Sequence, residues 1–431
     1  MKIKKHLLTI SLVIMIALSF YLSYLIWVSP TSKEPTVTES TETSKVTNNS
    51  NYPKKNEIFL PLKVVSVKNK KAQGTNSETF LTTMQTSLAK TKTSSLKIKN
   101  YQMDTELAKE MDLSNGIEMS YAMDFPFDKY SEFFDLDFPL EEDFSFSTIQ
   151  INYDQQKIRF INKQKLEVAE GKINSSLTEF KEATEKEGVE WRQVIKDPLI
   201  DRFNYYNSDP VELKKFSYIA TTRPYTLFRD AFFSNKGSLR TNENTDELNI
   251  YDGAESMEVD PDNQQVDYQG VVKNTKSFDK YSNSYNYVRQ LGTNYGSIRF
   301  LDSDDQKVNY HIFVEGFPVF SDIDEGSFSV KYTESNRDQQ QAIEIQANLN
   351  MIQVPIPSES VVEVQPAREI LENLYYAGAK ADLMEQLLIG YNWKNIEDTG
   401  VVDMEPLWYV RYDNEWYQWQ VLLEKLQKEE N

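Results

Sequence analysis

Only two histidines, His6 and His311, stand among the 431 residues. Histidine is the side chain that proton transfer at neutral pH uses most often. His6 lies in a lysine-rich N-terminal flank, and His311 alternates with Tyr310 and Ile312 in a strand-like run, which is a structural position. Cysteine is absent, so thiolate nucleophiles, disulfides and lipid attachment through a thiol are excluded. There is no Gly-x-Ser-x-Gly, no His-Glu-x-x-His and no phosphate-cradling glycine-rich loop. Carboxylates are plentiful, but a pair cleaves glycosides only when both face one cleft. The densest set runs from Asp124 to Asp143, where acids alternate with aromatics. It reads as a loop and short helix in which Phe133, Phe134 and Phe138 cap the core while the acids face water. A sugar-stacking or partner-docking surface is the alternative. The groups Asp302-x-Asp304-Asp305 and Asp322-x-Asp324-Glu325-Gly326 miss the EF-hand spacing and read as hairpin turns. The residues therefore predict no catalytic, cofactor-binding or metal site, and a protein that is not an enzyme.

The elements that must position any site begin with an uncharged run from Leu7 to Val28, free of glycine and proline. At 1.5 Å per residue such a run matches the hydrocarbon core of a bilayer, about 30 Å thick. Lys2, Lys4 and Lys5 precede it and hold that end in the cytoplasm. Its outer end, through Trp27 and Val28 to Ser29-Pro30, is bulky and unlike a small-x-small cleavage site. We expect an uncleaved single-pass anchor, with Ser29–Asn431 outside the cell membrane. Ser19 and Ser23 share one face of this helix near Ala17. Small hydroxyl residues at that spacing allow close helix–helix approach in lipid, so Ser19 and Ser23 are the expected partner contacts.

Charge and composition bound the rest. The 47 Lys and Arg face 66 Asp and Glu, a net charge of −19, which argues against nucleic acid and against anionic lipid surfaces. The 25 Tyr and 23 Phe supply core volume, as in a folded protein. The fold class expected is α+β: a transmembrane helix, then an extracytoplasmic multidomain body ending in two tandem related sheet-plus-helix units. The expected divisions are 1–28 (cytoplasmic tip and anchor), 29–56 (a Ser/Thr-rich flexible stalk), 57–208, 209–325 and 326–431. Within them, Glu57–Val67 reads as a strand. A helix opens at Asn76-Ser77-Glu78 with Phe80, Leu81, Met84 and Leu88 inward. Ile117, Met119, Tyr121 and Met123 alternate as a half-buried strand. Helices are expected from Ser277 and over Pro366–Tyr376, and a last strand at Trp416–Trp419.

Three C-terminal segments are distinctive: Tyr310–Phe320, Leu387–Trp393, and Met404–Tyr412 followed by Asn414-Glu415-Trp416. With Phe232-Phe233 and Ile250–Met257, in this order and spacing, the chain resembles the YycH family of Gram-positive bacteria. The resemblance implies a non-catalytic, membrane-anchored regulator of the YycG (WalK) sensor histidine kinase, acting with YycI through transmembrane and outer-domain contacts and governing cell-wall metabolism. No cofactor is implied. The competing reading is an anchored protein that binds cell-wall glycan through 124–143.

Overall fold

Alternating apolar residues set most of the strands, and burial on both faces tells where they lie. The structure, a computed structural model, describes Met15, Ile16 and Ser19, and then residues 52–186, 188–198, 201–242, 248–273, 278–292, 296–334 and 340–429. The chain divides into two units, Met1–Asn49 and Ser50–Asn431. In the first, Met15, Ile16 and Ser19 are helical and exposed. The rest of the expected span, Ser23 included, lies outside the described residues, as does the expected stalk as far as Asn51. No helix among the described residues is long and apolar enough to cross a membrane.

The second unit is a mixed α+β fold made mostly of sheet. Its first nine strands are β1 (Lys63–Lys68), β2 (Lys71–Thr75), β3 (Lys97–Asn100), β4 (Gly116–Pro126), β5 (Ser145–Asn152), β6 (Lys157–Asn162), β7 (Glu167–Lys172), β8 (Arg192–Asp197) and β9 (Asp201–Asn207). They form one antiparallel sheet in the order β3-β7-β6-β5-β4-β1-β2-β8-β9. The following strands are β10 (Val211–Lys214), β11 (Phe216–Thr222), β12 (Arg240–Asn242), β13 (Leu248–Asp252), β14 (Glu255–Asp260), β15 (Gln265–Lys273), β16 (Ile298–Ser303), β17 (Lys307–Val314) and β18 (Phe317–Phe320). Then come β19 (Ser327–Glu334), β20 (Gln340–Asn348), β21 (Asn350–Ile356), β22 (Val361–Val364), β23 (Met384–Ile396), β24 (Val401–Tyr412) and β25 (Glu415–Gln418). Strands β10 and β22 pair with each other. The others form a 14-stranded sheet, β12-β13-β14-β15-β20-β19-β17-β18-β23-β24-β11-β21, with β16 on β17 and β25 on β24. Strands from both sides of position 325 pair here, β15 with β20 and β11 with β24. The segments 209–325 and 326–431 thus share one sheet.

Local chemistry explains where the sequence reading held and where it shifted. The helix Glu78–Ala89 is capped by Ser77, whose hydroxyl accepts from the Phe80 amide, and it buries Phe80, Leu81, Met84 and Leu88. The run expected as a strand from Glu57 is instead a helical turn, Lys55–Ile58, followed by β1. The Glu57 carboxylate accepts from the Lys54 amide at 3.0 Å and closes that turn, and Pro61 separates it from the strand. Strand β4 is buried on both faces through Ala122, not on one. Its polar face is covered by a network: Glu118 accepts from Gln150 Nε2 at 2.9 Å and pairs with Lys196 at 3.0 Å. The helix expected from Ser277 runs over Lys280–Leu291. Asp279 is its cap, accepting from the amides of Tyr281 and Ser282; Ser277 lies outside the described residues. The last strand ends at Gln418, and Trp419 begins a helix to Glu429.

One aromatic cluster joins the two large sheets. Phe59, fully buried, has its ring centroid 4.7 Å from Phe133, 5.6 Å from Phe125, 5.4 Å from Phe300 and 6.0 Å from Tyr310. The first two belong to the N-terminal half, the last two to β16 and β17. Arg299 of β16, also buried, reaches back across the same seam. It donates to the carbonyls of Pro61 (2.7 Å) and Leu60 (3.3 Å), pairs with Glu78 at 3.0 Å, and lies 4.2 Å from the Phe313 ring centroid. At Gly316, between β17 and β18, φ is +80°, and a Cβ would stand 1.9 Å from the Asn76 carbonyl oxygen. Backbone meets backbone here, so any side chain parts the halves.

A charged cluster flanks the seam. Lys63 Nζ donates to the Tyr205 carbonyl at 2.8 Å and lies 5.3 Å from the Tyr206 ring centroid. Lys196 pairs with Glu118, and Lys163 donates to Asn204 at 2.6 Å. Burial, aided by the nearby Lys163 charge, pushes Lys63 down from 10.5 to about 8.

Two outcomes follow. Gly316→Ala and Gly400→Ala both place a side chain at positive φ, but Gly400 has open space around it. Gly316→Ala is therefore expected to cost about 1–3 kcal/mol more in urea unfolding; equal losses would show that backbone strain alone acts. For Lys63, the folded protein releases its proton before the unfolded chain does, so stability rises with pH between about 8 and 10.5. Across that window wild type should gain stability relative to Lys63→Met in urea titrations. A constant difference would refute the burial cost assigned to the ammonium.

Candidate functional site

The residue types that could do chemistry are built into the scaffold. His311 sits in β17 with Nδ1 2.6 Å from the Val319 carbonyl and its ring 4.9 Å from that of Phe320. Burial lowers its pKa, which keeps the ring neutral. Asp302 departs from the hairpin-turn reading: it is 1% exposed at the end of β16. There it accepts from Asn309 Nδ2 and Trp416 Nε1, both at 2.5 Å, with Arg411 Nε 3.5 Å away. Arg411 also pairs with Glu385. The turn itself is made by Asp304, which accepts from the amides of Gln306 and Lys307. Glu325 is likewise buried, holding Ser321 (3.0 Å), Asn350 (3.2 Å) and Asn395 (2.8 Å). Among the described residues no cluster of three or more His, Asp or Glu could hold a metal ion.

The acidic and aromatic segment divides as the residues predict. The helix Phe127–Phe133 and the loop after it bury Phe133, Phe134 and Phe138, each about 4–5% exposed. Asp128 and Glu132 face water, with side chains 69% and 51% exposed. These rings lie under the surface and are not presented for stacking on a sugar. Trp393 and Trp408 are buried, while Trp191 and Trp416 are half-buried. The distinctive C-terminal motifs also serve packing. A Cβ on Gly390 would stand 2.7 Å from the Phe320 ring and 2.9 Å from the Pro318 carbonyl. Tyr391 donates to the Lys214 carbonyl and Trp408 to that of Gln365.

What the second unit does present is an apolar row. In an antiparallel ladder, directly paired residues point to the same face. Ile396 of β23 pairs with Val401 of β24, Val401 with Ile219 of β11, and Ile219 with Val354 of β21. Four apolar side chains thus line up across four adjacent strands. Val354 is 55% exposed, Ile219 45% and Ile396 41%. The opposite face of the same strands carries Tyr218, Ala220, Val402 and Met404 into the core, so the exposed row is not a misplaced core. Strand β21 ends the sheet, and Pro355 within it lacks a donor N–H, which suits an edge. Sequence reading missed β21 and therefore this surface. The signal was there in the alternation of Ile352, Val354 and Ile356, obscured by the proline. Ser19, the described member of the expected transmembrane pair, is helical and exposed; Ser23 is outside the described residues.

Comparison with known proteins agrees with this architecture. A solved structure, YycH from Bacillus subtilis, shares 16% identity, covers 85% of this chain and 97% of its own, and superposes with a TM-score of 0.67. That likeness speaks to the fold. No curated protein matches the chain in sequence. The family model of the YycH protein N-terminal domain matches residues 5–187, and that of the YycH protein C-terminal domain matches residues 202–426. The seam described above lies between these two matched regions, and with both of them present the chain belongs to the YycH family.

Proposed function

We propose that this chain is a non-catalytic, membrane-anchored regulator of the YycG (WalK) sensor histidine kinase, acting together with YycI. The observation that carries the reading is the match of both YycH family domains, in order, over most of the chain. The uncharged run Leu7–Val28 supplies the anchor and puts the bulk of the chain outside the cell membrane. Regulation needs only that the chain bind one kinase state better than another. A coupling of about 1–3 kcal/mol shifts a population ratio about 5–150-fold. A polar contact between helices in lipid contributes roughly 0.6–2 kcal/mol, so Ser19 and Ser23 could supply much of it. The row Ile396, Val401, Ile219 and Val354 offers an outer contact of the kind that carries affinity when water is excluded from it.

Two substitutions separate these contacts. Ser19→Leu with Ser23→Leu should reduce co-purification with the kinase from membranes and alter kinase output. Wild-type behaviour in both assays rejects the helix contact. Ile219→Lys with Val354→Lys should leave thermal stability near wild type, since both side chains are already exposed. It should weaken capture of the kinase or YycI outer domains about tenfold or more. Undiminished capture removes this face from the interaction.

A further inference from the structure

A cavity of about 100 Å³ opens where the two large sheets meet. Strands β1, β8, β9 and β10 form one side; β18, β23 and Trp408 of β24 form the other. Its lining includes Leu62 and Val194 together with Leu213, Leu387 and Ile389, which pack in one cluster with Trp408. Lys63 and Arg192 also line it, and no carboxylate does. In a chain of net charge −19, a cationic apolar cavity without an acid is unusual enough to ask what it holds.

Two polar groups define the answer. Asn207, 8% exposed, donates from Nδ2 to the carbonyls of Asp209 (2.9 Å) and Gln365 (3.3 Å). Its Oδ1 is buried and meets no donor among the described residues. A buried acceptor left unpaired is costly, so this oxygen calls for an N–H. Arg192 lines both this cavity and a wider basin of about 710 Å³ beyond it. Its guanidinium lies 5.5 Å from the Phe317 ring centroid and reaches the exposed Glu190 at 3.3 Å. A guanidinium so placed can receive a carboxylate through two parallel N–H groups.

We propose that this cavity binds the carboxyl end of a short peptide whose last residue is apolar. Arg192 takes the terminal carboxylate, Asn207 Oδ1 accepts the last amide N–H, and the side chain enters the space beside Trp408. Preceding residues run out into the wider basin. A fatty acid offers no N–H for Asn207, and its long chain exceeds the inner space, so a peptide end is the better fit. The site is independent of the contacts with the kinase argued above.

The test titrates the full-length protein in detergent micelles with acetyl-Ala-Leu, its C-terminal amide, and acetyl-Ala-Gly, by calorimetry and tryptophan fluorescence. Acetyl-Ala-Leu should bind saturably. The amide should bind about tenfold more weakly for loss of the charged contact, and the glycine peptide about tenfold more weakly for loss of the apolar side chain. Arg192→Gln should weaken the free acid about tenfold and leave the amide unchanged; Asn207→Ala should weaken both. Absence of saturable binding up to about 10 mM, or equal affinity for the three peptides, overturns the proposal. So does an Arg192→Gln variant, folded by its thermal transition, that binds the free acid as well as wild type does.

Discussion

The close approach of two backbones at Gly316 and Asn76 is the constraint that the second unit is arranged around. With no side chain between them, the halves can share one aromatic core, and Phe59 is placed to touch rings from both. The same closeness lets Arg299 reach the carbonyls of Leu60 and Pro61 and the carboxylate of Glu78. A buried guanidinium is costly unless its donors are satisfied; the docked arrangement gives partners to both terminal nitrogens of Arg299, while its Nε meets none among the described residues. Apart from the residues before Ser50, the two regions matched by separate family models thus belong to one compact unit.

The exposed row on β23, β24, β11 and β21 lies on the face opposite to Tyr218, Val402 and Met404, which the same strands carry into the core. Strand β18, which contributes Phe317 and Pro318 to the inter-sheet cavity, pairs parallel with β23. Cavity and apolar row therefore share a strand. They lie well apart along it: Ile389 at the cavity and Ile396 in the row are separated by seven residues, about 23 Å of extended strand.

Much of this was legible in the residues, and the omissions have physical causes. Periodicity found the helices at Glu78–Ala89 and Ala367–Tyr376, which bury one face, and most strands of the core, whose apolar residues alternate or run together even where both faces are buried. It placed His311 correctly as a structural side chain and Phe133, Phe134 and Phe138 as core. It misjudged Asp302, because an acid in an Asp-rich turn looks solvated until Trp416 and Arg411 arrive from far along the chain. It missed β8 and β9, whose half-buried mixture of polar and apolar residues has no clean alternation, and β21, whose proline argued against a strand. The C-terminal helix was hidden behind the aromatic run Trp416–Trp419. The apolar row was beyond reach, since its members come from four strands and only the pairing register sets them side by side. The unpaired Asn207 oxygen is likewise a property of the assembled seam and of no local pattern.

Strand β11 holds a consequence for how the molecule is made. Its residue Ser217 finds neighbours only at Ile356 on one side and Asp403 on the other. During synthesis the chain must carry β11 unpaired, its backbone donors and acceptors open, until nearly the whole sequence has emerged. Sheets closed by such late partners form slowly and expose adhesive edges while they wait. A nascent chain of this kind benefits from chaperone cover, and a premature stop anywhere before Val401 would leave a protein with an open sheet, prone to aggregate and quick to be degraded.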